Sequence, residues 1–105
     1  MAAQRASEGL VSSLAIIRRV HLLPGREMEG IRWLCETEHL RREAGQLSQL
    51  VLRGQIDRHE YQWVQVWRDE TAYEDWRRSP ERAKLAGQRG RYMTHEPSRL
   101  YELLE

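Results

Sequence analysis

The chain has 105 residues, 40% of them hydrophobic, with seventeen basic and sixteen acidic side chains for a net charge of +1. That length is one domain, and near-neutrality removes the electrostatic case for nucleic acid or an anionic membrane surface as the main partner. A single cysteine, Cys35, excludes an internal disulfide and a cysteine-based metal cluster, and no apolar run reaches membrane-spanning length.

Met1 to about Ser13 is small and polar and reads as a flexible leader, leaving 14–105 as the single domain. The first nine residues lack the apolar core of a signal peptide, so the expected compartment is the cytoplasm. Leu14 to Leu23 reads as a strand. Leu14, Ile16, Val20 and Leu22 share one face with Arg18 among them, and Ala15 and Ile17 lie on the other, so both faces expect cover. Pro24-Gly25 breaks it. Arg26 to about Glu43 reads as one helix, its stripe running through Met28, Ile31, Leu34 and Cys35 to Glu38 or His39, with Trp33 beside the stripe. Cys35 on that stripe reads as a buried small hydrophobe. Ala44-Gly45 ends the helix.

Gln46 to about Gln55 and Glu60 to Arg68 read as two strands of a hairpin around the turn Ile56 to His59. The second carries Tyr61, Trp63, Gln65 and Trp67 on one face, with Val64 and Val66 on the other. At Asp69 the period changes. Asp69 caps a short helix to Arg78 that carries Tyr73 and Trp76; Ser79-Pro80 caps and restarts a helix from Glu81 to about Tyr92. Thr94 to Ser98 reads as loop, and Arg99 to Leu104 as a last strand. The order β-α-β-β-α-β with right-handed crossovers is the ferredoxin-like α+β plan: an antiparallel sheet with helices on one face, the other face open in a monomer. A chain this short buries only about 65% of its unfolded surface, so a second subunit on that open face would help.

Four features in this order resemble the antibiotic biosynthesis monooxygenase family. They are Leu23-Pro-Gly25 after the first strand, Gly45 opening the hairpin, the junction from Val66-Trp67 to Ala72, and the break from Trp76 to Ser79-Pro80. The resemblance spans about Leu14 to Leu104. It implies a dimeric α/β barrel: a homodimer whose sheets pack face to face, with a pocket in each subunit between sheet and helices. Characterised members oxidise phenolic or anthrone-like polycyclic aromatics with dioxygen, many without metal or flavin; others are quinol oxidases or haem-degrading enzymes. The haem-degrading branch carries an axial histidine at the position of Ala86 and an asparagine at that of Arg18, and both departures argue against haem. The expected cofactor is none, and so is the expected metal, because the four histidines, at 21, 39, 59 and 95, form no i, i+4 pair.

On this reading the substrate-binding candidates are Trp76, Trp63, Trp67, Tyr73, Trp33 and Tyr92, and the catalytic candidates are His39 and Arg18. Each has a plainer explanation. Indoles fill cores, above all in a chain with no phenylalanine. Trp63 and Trp67 wall either a pocket or a subunit seam, and Trp33 is a rim or interface candidate. Arg18, on an otherwise apolar face, needs a partner: a salt bridge to a carboxylate such as Glu38, the commoner outcome, or a phenolate. His39 has the right intrinsic pKa for a base, although a histidine at a helix end is usually solvated. Two other classes share the fold. One is a non-catalytic dimer that binds a small aromatic. The other is an RNA-recognition module, against which stand the near-neutral charge and the missing basic-Gly-aromatic pattern on the third strand.

Overall fold

A computed structural model describes residues 12–104. The leader therefore lies almost wholly outside the described residues. The elements are β1 (Leu14–Leu22), α1 (Glu27–Glu36), α2 (Glu38–Ala44), β2 (Gln46–Arg53), β3 (Tyr61–Trp67), α3 (Glu70–Arg77), α4 (Pro80–Arg89), β4 (Met93–His95) and β5 (Arg99–Glu102). The sheet is antiparallel and open, ordered β2-β3-β1-β4, with β5 on the same edge of β1 as β4. This is the ferredoxin-like α+β fold. Of the segment 94–98, expected as loop, Thr94 and His95 belong to β4, which pairs with 20–22 of β1, while β5 pairs with 14–17. Glu96-Pro97-Ser98 between them breaks one edge strand in two, as a residue without an N–H does.

The alternation on β3 is realised. Tyr61, Trp63, Gln65 and Trp67 are buried under the helices, and Gln62, Val64 and Val66 face the open side. The register Arg18↔Trp63 and Ile16↔Gln65 puts the even residues of β1 on the same covered face. The core joins Ile16, Val20, Leu34, Trp67, Ala72 and Met93 to the remaining indoles.

Three expectations for 26–43 fail. The helix is broken at Thr37, whose Oγ1 donates to the Trp33 carbonyl at 2.8 Å; such back-bonding bends helices. The buried face is Gly30, Trp33 and Leu34, so Trp33 is inside, while Met28 is 67% exposed and Cys35 is exposed. Gly30 explains the rotation. A Cβ there would lie 2.9 Å from Leu22 Cδ2 and 3.3 Å from Tyr92 Cβ, so the helix presses its bare backbone onto the sheet edge. A hydropathy stripe counts Met and Cys and is blind to a glycine used for close approach.

The caps follow the sequence. Asp69 accepts from the Ala72 N–H at 2.7 Å and Ser79 from the Arg82 N–H at 3.1 Å. Gly45 has φ of +122°, and a Cβ would stand 2.9 Å from that of Ala72, so this corner requires glycine. Among the described residues no helix is long and apolar enough to cross a membrane.

Candidate functional site

Between the covered sheet face and the helices lies a chamber of about 20 Å³, room for roughly one water. One wall is aromatic: Trp33 from α1, Trp63 from β3, Tyr73 and Trp76 from α3. The other is cationic: Arg18 from β1, Arg41 from α2, Arg77 at the end of α3, Arg82 and Arg89 from α4. Gln65, Leu85 and Ala86 complete it. It continues past Arg18, Tyr73, Arg77 and Arg82 into an outer cleft of about 270 Å³ that opens at His95, Ser98 and Leu100, beside the break between β4 and β5. Admitting a polycyclic ring requires the lining to move, and Arg77 (exposed) and Arg82 (half-buried) stand where the two volumes meet.

The place of Arg41 in the cationic wall follows from the kink. The Leu34 carbonyl accepts from Arg41 Nη2 at 2.7 Å and from Gln49 Nε2 at 3.1 Å. Gln49 Oε1 accepts in turn from Arg41 Nη2 at 3.1 Å and from Trp63 Nε1 at 3.0 Å, and Thr37 Oγ1 accepts from Arg41 Nη1 at 3.1 Å. This network fixes Arg41, which is 2% exposed, and the plane of Trp63. The Arg18 and Arg41 guanidiniums each lie 5.1 Å from the Trp63 ring centroid, within cation–π range.

Arg18 is 7% exposed, and its Nε has no hydrogen-bond partner among the described residues. The expected salt bridge to Glu38 is not made: Glu38 pairs with Arg42 at 3.3 Å, one helical turn away on its own element. Burial lowers the Arg18 pKa, with Tyr73 partly offsetting this and the Arg82 and Arg77 charges adding to it. Arg41 and Arg89 both fall to about 10. Burial is the main cause in each, and repulsion from neighbouring arginines reinforces it.

The structure thus brings Arg18, Trp33, Trp63, Tyr73 and Trp76 to one chamber. It does not bring three others there. Trp67 is fully buried in the core, its centroid 5.5 Å from Tyr73 and 6.1 Å from Trp76, with its Nε1 donating to Gln65 Oε1 at 3.3 Å. Tyr92 packs on Trp33 and under Arg26 at the other end of the helix layer. His39 is exposed on α2, its Nδ1 2.9 Å from the Glu36 carbonyl, because the break at Thr37 restarts the helix with that face outward. Its place at the cleft is taken by His95. Its Nδ1 is 3.0 Å from the Glu96 carbonyl; a carbonyl only accepts, so Nδ1 carries the proton and Nε2 the lone pair. Burial first, then the Arg89, Arg18 and Arg82 charges, hold His95 below the usual histidine pKa, against the opposing carbonyl contact. It is neutral near pH 7.

Sequence reasoning missed Arg41, Arg77, Arg82, Arg89, Gln65 and His95. One signal was available: Arg82, Leu85, Ala86 and Arg89 recur at helical spacing, so α4 has arginines on its only apolar stripe. Ala86 lines the chamber together with Arg18. Among the described residues no group of three or more His, Cys, Asp or Glu side chains is placed to hold a metal ion.

The family model for antibiotic biosynthesis monooxygenases matches residues 15–88. The chain belongs to that family. No curated protein matches it. Among solved structures it is similar to SnoaB of Streptomyces nogalater, a cofactor-independent oxygenase, with a TM-score of 0.76 and 18% identity over 90% of this chain and 95% of that one. It is also similar to a conserved protein of Methanosarcina mazei Go1 (TM-score 0.70, 14% identity, 88% and 93% covered) and to Rv0793 of Mycobacterium tuberculosis (0.65, 21%, 90% and 95%). At these identities the likeness shows the fold.

Proposed function

We propose that this protein is a cofactor-independent monooxygenase that oxidises a phenolic, anthrone-like or quinol polycyclic aromatic with dioxygen, working as a homodimer. The observation that carries the reading is the chamber itself, where three indoles and a tyrosine face a cluster of guanidiniums with a neutral histidine at the entrance. Family membership and the likeness to SnoaB, an oxygenase without cofactor, support it.

The chemistry asks little of the protein. His95 Nε2 takes a proton from the ring system as it enters. The guanidiniums favour the resulting anion in a water-poor site. The electron-rich anion then reduces dioxygen directly. One oxygen atom bonds to the ring carbon, and the other leaves as water with the two hydrogens that carbon loses, so an anthrone methylene becomes a quinone carbonyl. Indoles hold the flat ring and exclude solvent.

The dimer is supported by the open face. Leu50 is 57% exposed and Leu52 47%, beside half-buried Ile17, Val64 and Val66. A second copy laid on this face would bury a surface that a monomer leaves in water.

Oxygen uptake with a panel of anthrones and quinols, in the presence of chelator, tests the reading. Uptake is expected with at least one, falling sharply in His95→Gln and unchanged in His39→Gln. Binding of the aromatics without uptake would make the protein a carrier of the same fold.

A further inference from the structure

A transient phenolate needs one or two donors, yet the chamber gathers five arginines, four of which come from β1, α2 and α4: Arg18, Arg41, Arg82 and Arg89. Among the described residues none of the four makes an ion pair with a carboxylate within 4.0 Å; the Asp and Glu side chains nearby are taken up elsewhere, Glu38 by Arg42 and Glu74 by Arg77. Arg41 spends its donors on Thr37, Leu34 and Gln49. Arg18 is 7% exposed and its Nε has no partner among the described residues, the hydroxyl of Tyr73 being the one side chain that hydrogen-bonds its guanidinium there. Burying a guanidinium without a partner opposes folding. Guanidiniums gathered at one point with no carboxylate partner among the described residues, and with neutral glutamines nearby (Gln65 and Gln49), suit a counter-charge from outside.

Resting on the reading above of this chamber as the substrate site, we propose that the substrate carries a permanent carboxylate on its aromatic body, held by Arg18, Arg82 and Arg89 while the ring lies against Trp63 and Trp76. The geometry matches the chemistry. Planar forks suit the two oxygens of a carboxylate, and charge-assisted hydrogen bonds in a water-poor cleft discriminate strongly against a neutral isostere. The opposing indoles set the aromatic requirement. The depressed basicity of Arg89 and Arg41 agrees with an uncompensated cluster. The bound anion also lies near His95, where it offsets the positive field of the arginines.

Isothermal titration of the full chain with 2-naphthoate, its methyl ester and inorganic phosphate tests this. The carboxylate should bind roughly tenfold or more tighter than the ester. Arg18→Gln and Arg82→Gln should each remove most of that preference and leave the ester's affinity unchanged, while Arg78→Gln, on the exposed end of α3, leaves both alone. Arg82 is half-buried, so its variant reports even where Arg18→Gln disturbs folding. Equal affinity for ester and carboxylate would overturn the proposal, as would a preference that survives both substitutions. Phosphate binding as tightly as naphthoate would also overturn it, because the indoles would then contribute nothing. The two readings fail separately. Naphthoate binding without oxygen uptake from any anthrone or quinol sinks the oxygenase and leaves the carboxylate site. Full oxidation of neutral anthrones with no carboxylate preference does the reverse.

Discussion

Each face of the sheet departs from the usual arrangement. The face covered by helices buries Arg18, Gln46 and Gln65 from its strands and receives Arg41 from α2; the uncovered face exposes Leu50, Leu52 and Tyr101. Polar groups within the covered face and apolar ones on the open face are costly in a free monomer, since buried charge and exposed aliphatic surface each oppose the folded state. The difference teaches what each face is for. On the function proposed above, polar groups are buried where the chemistry would need them out of water, and apolar groups are exposed where a second copy would cover them.

The largest effect should come from the covered face. Trp67 and Trp63 stand four residues apart on the same side of β3, yet one is core and the other lines the chamber. Trp67→Ala should cost about 3–5 kcal/mol in urea unfolding, because it leaves a hole beside Tyr73 and Trp76. Trp76→Ala should cost less than that range, since its ring borders the chamber, and should weaken aromatic binding more than it weakens folding. Equal losses for the two would erase the division between core and site.

On the open face, Leu50→Glu or Val64→Glu should convert dimer to monomer, halving the mass in sedimentation at micromolar concentration. The two residues are directly opposed in the register of β2 and β3, so either places a carboxylate mid-patch. A monomeric parent chain would remove the homodimer, and with it the explanation of the exposed leucines.

Arg18→Met sharpens the comparison from the other side. A guanidinium buried for binding burdens folding, so an apolar side chain of similar reach should stabilise the protein by ~1–2 kcal/mol while binding of aromatic anions collapses. Destabilisation instead would mean that Arg18 holds the fold.

How much of this was legible follows the physics. Local signals carried the elements: the period-two run of β3, the Asp69 and Ser79 caps, and Gly45 at the corner are each decided within a few residues. Trp76, Tyr73 and Arg18 were reachable because strand parity and helical spacing fix which face a side chain takes. The break at Thr37 was not, because it depends on one hydroxyl choosing a carbonyl of its own helix over solvent, and the face of α1 turns on Gly30, which has no hydropathy to read. The arginine cluster was hidden by averaging: net charge +1 describes the chain, while the chamber collects its arginines from β1, α2, α3 and α4, far apart in sequence. His95 was counted only among four scattered histidines, since its place beside Arg18 and Arg82 arises only when β4 pairs with the end of β1.

The smallest effect concerns that histidine. Its folded pKa lies below the unfolded value, chiefly through burial, with Arg89, Arg18 and Arg82 adding and the Glu96 carbonyl opposing. The unfolded chain therefore binds the proton more readily. Stability from this group is complete above the ordinary histidine pKa of about 6.5 and is lost as pH falls through the lowered folded value. The site is half open to solvent, so the term should be less than about 1 kcal/mol. Melting temperature followed from pH 7.5 to 5 should fall slightly more for the parent than for His95→Asn, which carries no such proton. Oxygen uptake should show an acid limb in the same window, because only neutral Nε2 can accept a proton. A bound carboxylate should move that limb to higher pH by favouring the imidazolium, so the acid limb measured with a carboxylated substrate should lie above that with its neutral ester. Identical limbs for the two substrates would separate His95 from the arginines and place the proton acceptor elsewhere in the cleft.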